Sequence, residues 1–84
     1  DFATPQHIKE AGAKAIMDNF SYYTPVAGIP ELRKGIAEKL KRDNNIDWKA
    51  ENIIVSTGAK QALANALSVL INPGDEVIIY SPYW

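Results

Sequence analysis

Cysteine is absent from this 84-residue sequence, and histidine occurs once, as His7. The first absence excludes a disulfide framework and any thiolate metal site, and the second excludes a histidine-based metal cluster. An excess of one charge is missing as well. Nine Lys and Arg stand against ten Asp and Glu, a net of −1, so no broad basic field is available to grip a nucleic-acid backbone. No apolar run approaches the roughly 20 residues of a membrane span, and the N-terminus does not resemble a secretory signal. Repeats and low-complexity tracts are also missing. The expectation is a soluble, cytoplasmic protein without a nucleic-acid or membrane partner. In bulk the chain is ordinary: 46% hydrophobic and 23% charged residues argue against intrinsic disorder. Its length suits one small domain that removes about 60 to 65% of its unfolded surface from water. It begins at Asp1-Phe2 without an initiator Met and stops at Tyr83-Trp84 directly after a predicted strand, as expected of a piece of something larger.

Residues 53 to 61, Ile53-Ile54-Val55-Ser56-Thr57-Gly58-Ala59-Lys60-Gln61, are the most informative. A short β-branched run stops at a small-residue turn and becomes a helix. The first turn of a helix leaves its N–H groups without intrahelical partners, and the aligned peptide dipoles put roughly half a positive charge there. Phosphate groups bind at such ends. Gly58 and Ala59 lack the bulk that would hold a phosphate away from the backbone. Lys60 adds a cation where the dipole alone disfavours one, a conflict that a bound anion resolves. An ordinary strand-to-helix connection without a ligand is the bland alternative. Two familiar phosphate motifs are excluded: a Walker A loop requires Gly where Ile53 stands and Ser or Thr where Gln61 stands, and no Gly-x-Gly-x-x-Gly fingerprint is present.

Along the chain, Thr4 and Pro5 predict a cap and first helical position for a helix from Pro5 to about Asp18, with a narrow stripe of Ile8, Ala11, Ala15 and either Ile16 or Asn19. Asn19 to Gly28 reads as an irregular loop whose Phe20, Tyr22 and Tyr23 are too aromatic for a mere connector. Pro30 opens a second helix, with Leu32, Ile36, Ala37 and Leu40 on its apolar face, a favourable Glu38–Arg42 pair, and Asn44-Asn45 as the stop. Ile46 and Trp48 are expected to pack the connection back onto the body. Ile53 to Ser56 and Glu76 to Tyr80 read as strands buried on both faces. Between them lie a helix from about Ala59 to Leu70, with Leu63, Ala66, Leu67 and Leu70 on one face, and a type II turn at Asn72-Pro73-Gly74-Asp75. Strand, helix and strand imply a parallel pair with a right-handed crossover, hence an α/β fold.

The chemistry-bearing residues are few. Lys60 opens an exposed helical turn, whereas a covalent-catalysis lysine usually sits in an apolar pocket. His7 reads as a solvated surface residue, and no nucleophile, base and orienting acid can be assembled, so no catalytic residue is assigned. Tyr22 and Tyr23 are packing residues or, more sharply, place a hydroxyl near the phosphate site. Trp84 stands at a strand's carboxyl end, where α/β sheets bind ligands, and either packs in the core or stacks on a planar cofactor.

Three ordered motifs, Ser56-Thr57-Gly58-Ala59-Lys60-Gln61-Ala62-Leu63, Tyr23-Thr24-Pro25-Val26-Ala27-Gly28-Ile29-Pro30-Glu31-Leu32-Arg33, and Pro73-Gly74-Asp75-Glu76-Val77 ending in Ser81-Pro82-Tyr83-Trp84, resemble class I aminotransferases, particularly the bacterial aspartate aminotransferase branch. The resemblance covers essentially all 84 residues. It implies a partial large domain, residues 1–84, of a dimeric enzyme that uses pyridoxal 5′-phosphate to move an amino group from an amino acid, aspartate foremost, to a 2-oxo acid. By the same resemblance, the backbone of Gly58, Ala59 and Lys60 meets the cofactor phosphate. Tyr23 reaches the phosphate in the neighbouring subunit's site, and Trp84 stacks on the pyridine ring and helps position substrate. The family's Schiff-base lysine, its pyridine-nitrogen aspartate and its carboxylate-clamping arginine belong to later segments, so these residues alone are expected not to transaminate. In the family the two strands lie apart in a larger sheet with later strands between them. Excised, they would expose edges, and self-association, non-parental pairing or partial order is expected. The rival reading is a non-catalytic α/β module that binds a phosphate compound or a protein partner.

Overall fold

The computed structural model, which describes residues 1–84, contains three α-helices: α1 (Gln6–Met17), α2 (Pro30–Asn44) and α3 (Gly58–Leu70). A 3-10 turn (Ala50–Asn52) lies between α2 and α3. Helix α2 forms for the reasons its sequence states. Pro30 occupies the first turn, where its missing N–H costs nothing, and Glu31 faces the positive end of the dipole. Asn45 closes the helix in the left-handed conformation at φ 53°, ψ 32°. The amides of Asn45 and Ile46 donate back to the carbonyls of Lys41 at 3.2 Å and Leu40 at 3.1 Å. A β-branched residue in that conformation is disfavoured by about 1–2 kcal/mol. Asn45→Val is therefore expected to shorten α2, read as lost helical circular dichroism, while Asn45→Gly leaves the signal intact.

Helix α1 also closes on a left-handed asparagine, at a residue the periodicity leaves ambiguous. Asn19, at φ 58°, sits beyond the apolar stripe. Its amide donates to Ile16 O at 3.1 Å, and that of Phe20 to Ala15 O at 2.8 Å, the paired bonds of a Schellman motif. At the other end the expected Thr4 cap does not form. Pro5 itself takes the cap position, with no side-chain cap bond, and its carbonyl accepts from Ile8 and Lys9 at 3.1 and 3.2 Å. The Pro73-Gly74 turn follows expectation: Gly74 has φ +97°, and Asp75 N donates to Asn72 O at 3.1 Å.

The strand–helix–strand expectation is corrected. No β-strand is present, and no hydrogen bond joins residues 53–56 to residues 76–80. Ile53 is extended, at φ −112° and ψ 130°, yet the link from its segment to the loop is one bond, Val55 N to Ala27 O at 3.0 Å. Residues 76–80 make no backbone hydrogen bond at all. A helix closes its hydrogen bonds within one segment, whereas a strand requires a second strand alongside. Nothing in these 84 residues lies beside either run in that register.

The expected share of buried surface is not reached. No residue is buried, and the accessible surface is 8208 Å², where a folded monomer of this mass keeps about 5,000 Å². Only about 40% of the unfolded surface is removed. The radius of gyration is 16.4 Å, against about 12 Å for a compact chain of this length. What packing exists is concentrated between the end of the aromatic loop, α2, the 3-10 turn and residues 53–56. Ala27, Gly28, Ile29, Ile36, Ala37, Leu40, Ala50, Ile53 and Val55 are half-buried there. On α2 the inward row is Arg33, Ile36, Ala37 and Leu40, so Arg33 replaces the expected Leu32, which is 46% exposed. The reason is polar: Arg33 Nε donates to Ala50 O at 3.0 Å and fastens α2 to the 3-10 turn. Trp48 stays half-exposed, with Nε1 3.3 Å from Asn52 O. The apolar faces of α1 and α3 are uncovered, Leu63 and Leu70 included. No helix is long and apolar enough to cross a membrane.

One ion pair differs from expectation. Arg42 turns to its neighbour Asp43 in a two-pronged pair, at 2.7 and 3.1 Å, and Glu38 lies 3.9 Å from Lys34. The Arg42 hydrogen bond holds the Asp43 carboxyl below its ordinary value, with further help from the Arg42 and Lys39 charges. The pair's small contribution is therefore complete above the usual carboxylate range and fades as pH falls through the lowered value. Arg42→Ala is expected to return the Asp43 titration midpoint upward, measured by NMR of its carboxyl.

Candidate functional site

The turn that joins residues 53–56 to α3 is built on a left-handed glycine at the start of the helix. Thr57 caps the helix at φ −77°, ψ 77°, and its amide donates to the Gln61 side-chain carbonyl, which reaches back over the first turn. Gly58 has φ +82°, a conformation that side chains rarely adopt. A Cβ there would meet nothing within 4 Å, so this position needs glycine for its backbone and not for space. The Gly58 amide is already used: it donates to Ser56 O at 2.9 Å. The open donors are thus the amides of Ala59 and Lys60, which precede any carbonyl one turn back in the helix. No acidic residue occupies the first turn of α3, and Lys60 forms no ion pair. Two free amides, a dipole end and an unpaired ammonium therefore lie together at the start of α3, features that favour an anion.

The aromatic loop forms a second feature. Phe20, Tyr22, Tyr23, Thr24, Pro25 and Ile29 line an open hollow of about 200 Å³. Tyr23 is fully exposed, and its hydroxyl is free to donate to a ligand. The loop is anchored at its far end, where Ala27 O accepts from Val55 N at 3.0 Å. Trp84 is the third feature, fully exposed and reached through a cis Ser81–Pro82 bond. Its indole offers an unobstructed flat face.

The structure groups Gly58, Ala59 and Lys60 in one turn and seats Tyr23 among the loop aromatics. No hydrogen bond connects that turn, Tyr23 and Trp84. His7 lies exposed on α1 without a partner. Sequence reasoning missed the meeting of Gly28 with Val55 and the use of the Gly58 amide by Ser56. The first was signalled only by a glycine just before Ile29-Pro30, and the second has no signal in residue type.

The profile of the family described as "Aminotransferase class I and II" matches residues 1–84. The chain is 57% identical over 84 residues to the "Probable aspartate/prephenate aminotransferase" of Rickettsia bellii, covering all of this chain and 21% of that protein. It is 50% identical over its whole length to the "Aspartate/prephenate aminotransferase" of Thermus thermophilus, of which it covers 22%. The solved structure of a single mutant of Thermus thermophilus aspartate aminotransferase superposes with a TM-score of 0.92 at 49% identity, over all of this chain and 22% of that one. The chain thus spans about a fifth of the length of these relatives. It follows the course of the matching segment in the solved structure without closing a sheet of its own.

Proposed function

This chain belongs to the class I and II aminotransferases, and from that premise we propose that a protein carrying it transfers an amino group between aspartate and a 2-oxo acid. The names of the relatives support aspartate as donor and add prephenate as a candidate acceptor. The cofactor of the reading is pyridoxal 5′-phosphate, and the setting is a cytoplasmic homodimer. The observation that carries it is the turn at Gly58, whose open amides and neighbouring Lys60 suit an anion such as a phosphate ester.

The residues present fit the phosphate end of that cofactor. The amides of Ala59 and Lys60 would donate to its phosphate oxygens, as a helix N-terminus does to an anion, and the Lys60 ammonium would offset its charge. Tyr23 would donate its hydroxyl to the phosphate in the partner protomer, and Trp84 would lie against the ring and narrow the space left to substrate. When bound, the cofactor supplies an electron sink that stabilises negative charge at the amino acid's α-carbon. These residues hold and orient; none is placed to move a proton, and no lysine of this chain is assigned to hold the cofactor covalently. The rival reading, a phosphate-binding or interaction module without catalysis, is not favoured, since the relatives matched across the whole chain are named as enzymes.

The test compares two samples given aspartate, a 2-oxo acid and pyridoxal phosphate. A full-length protein carrying this chain is expected to show visible cofactor absorption and to exchange the amino group, while the 84 residues alone stay inactive. A full-length protein that is colourless and indifferent to the cofactor would overturn the proposal.

A further inference from the structure

Gly28 and Val55 meet more closely than any ordinary side chain allows. A Cβ built on Gly28 lies 2.7 Å from Val55 Cγ2 and 2.8 Å from Val55 Cβ, where ordinary contacts begin at 3.4 Å. Gly28 also has φ +98°, so the residue is required both for conformation and for clearance. Beside this contact, Val55 N donates to Ala27 O at 3.0 Å, and Ala27, Gly28, Ile29 and Val55 are all half-buried in a chain with no buried residue. It is a short, well-defined junction. On one side it leads back to the loop that carries Tyr23, and on the other it leads through Ser56 directly into the Gly58 turn.

We infer that Gly28 and Val55 are positioning residues that fix the Tyr23 loop, which serves the partner protomer's phosphate, against the segment that leads into this chain's own phosphate-binding turn, Gly58–Lys60. The inference rests on the reading of that turn given above. Neither residue touches the cofactor. A side chain at 28 must push the loop and the 53–56 segment apart by about 1 Å, a misplacement large enough to cost an organised site tenfold or more. Each arm of the junction ends on a phosphate-directed group, the turn toward its own protomer's phosphate and Tyr23 toward the partner's, so the loss falls on the phosphate end of both sites and spares the ring.

The test uses the full-length protein stripped of cofactor and measures its affinity for pyridoxal 5′-phosphate and for pyridoxal, which lacks the phosphate. The ratio of the two affinities isolates the phosphate end. Gly28→Ala is expected to lower that ratio about tenfold with little change for pyridoxal. Val55→Ala, which removes the wall without backbone strain and keeps the test decisive if Gly28→Ala does not fold, is expected to lower it about threefold. Variants that melt earlier yet keep the wild-type ratio would assign the junction a structural role and overturn the inference. A wild-type protein that binds both compounds equally would instead overturn the phosphate reading of the Gly58 turn.

Discussion

Heated alone in a calorimeter, the 84-residue chain is expected to give no cooperative unfolding peak. A two-state domain of this length absorbs about 60 kcal/mol at its midpoint, because unfolding breaks a shared core. This chain has no buried residue and keeps 8208 Å² accessible, about 3,000 Å² more than a folded monomer of its mass. Its structure is held by helices that close on themselves and by one half-buried junction around α2 and Val55. Such elements melt separately and gradually, since little links the loss of one to the loss of another. Hydrogen exchange is expected to show protection in α2 and near Val55 and almost none in residues 76–84. A sharp transition with the full enthalpy of a compact domain would show that the chain closes a core which this structure lacks.

The second large effect concerns the turn at Gly58. In a full-length protein, Gly58→Val is expected to weaken pyridoxal phosphate binding by about 10- to 100-fold, measured from visible absorption during cofactor titration. A β-branched residue at φ +82° is disfavoured by about 1–2 kcal/mol even where space is free. The turn escapes that strain by rotating, and the amides of Ala59 and Lys60 then point away from the phosphate. Lys60→Ala leaves the backbone in place and removes only the ammonium. Its expected loss is about tenfold, the scale of one charge-assisted hydrogen bond. Lys60→Arg should recover most of it. Unchanged affinity in Gly58→Val would mean that the phosphate is held elsewhere.

What the sequence discloses follows from the range over which each residue acts. Helix α2 was legible from Pro30 to Asn45, and so was the Pro73-Gly74 turn, because proline, asparagine and glycine act on the backbone next to them. The helical span of α3 was legible as well. The strands were not, since an apolar run becomes a strand only when a partner lies alongside. Helical spacing pairs Arg42 with Glu38, whereas in the structure it pairs with Asp43, a choice between neighbours at similar reach that pattern alone does not settle. The site shows the same division. Gly58, Ala59 and Lys60 are adjacent in sequence and therefore adjacent in space, and the structure refines only which amides are open. Tyr23 and Trp84 were recognisable as residue types, but their distance from the turn depends on surfaces this chain leaves uncovered. The junction of Gly28 with Val55 joins segments far apart in sequence, beyond the reach of any local rule.

Those uncovered surfaces include Val77-Ile78-Ile79-Tyr80, whose carbonyls and amides find no partner along the chain. The stretch is uncharged and β-prone, and its open backbone groups are a template for pairing with another chain. In concentrated solution the chain is expected to associate through this edge, read as a rise in sedimentation mass, and Ile78→Lys to keep it dispersed. The property that equips this stretch for a place inside a larger sheet makes it adhesive when it is left alone.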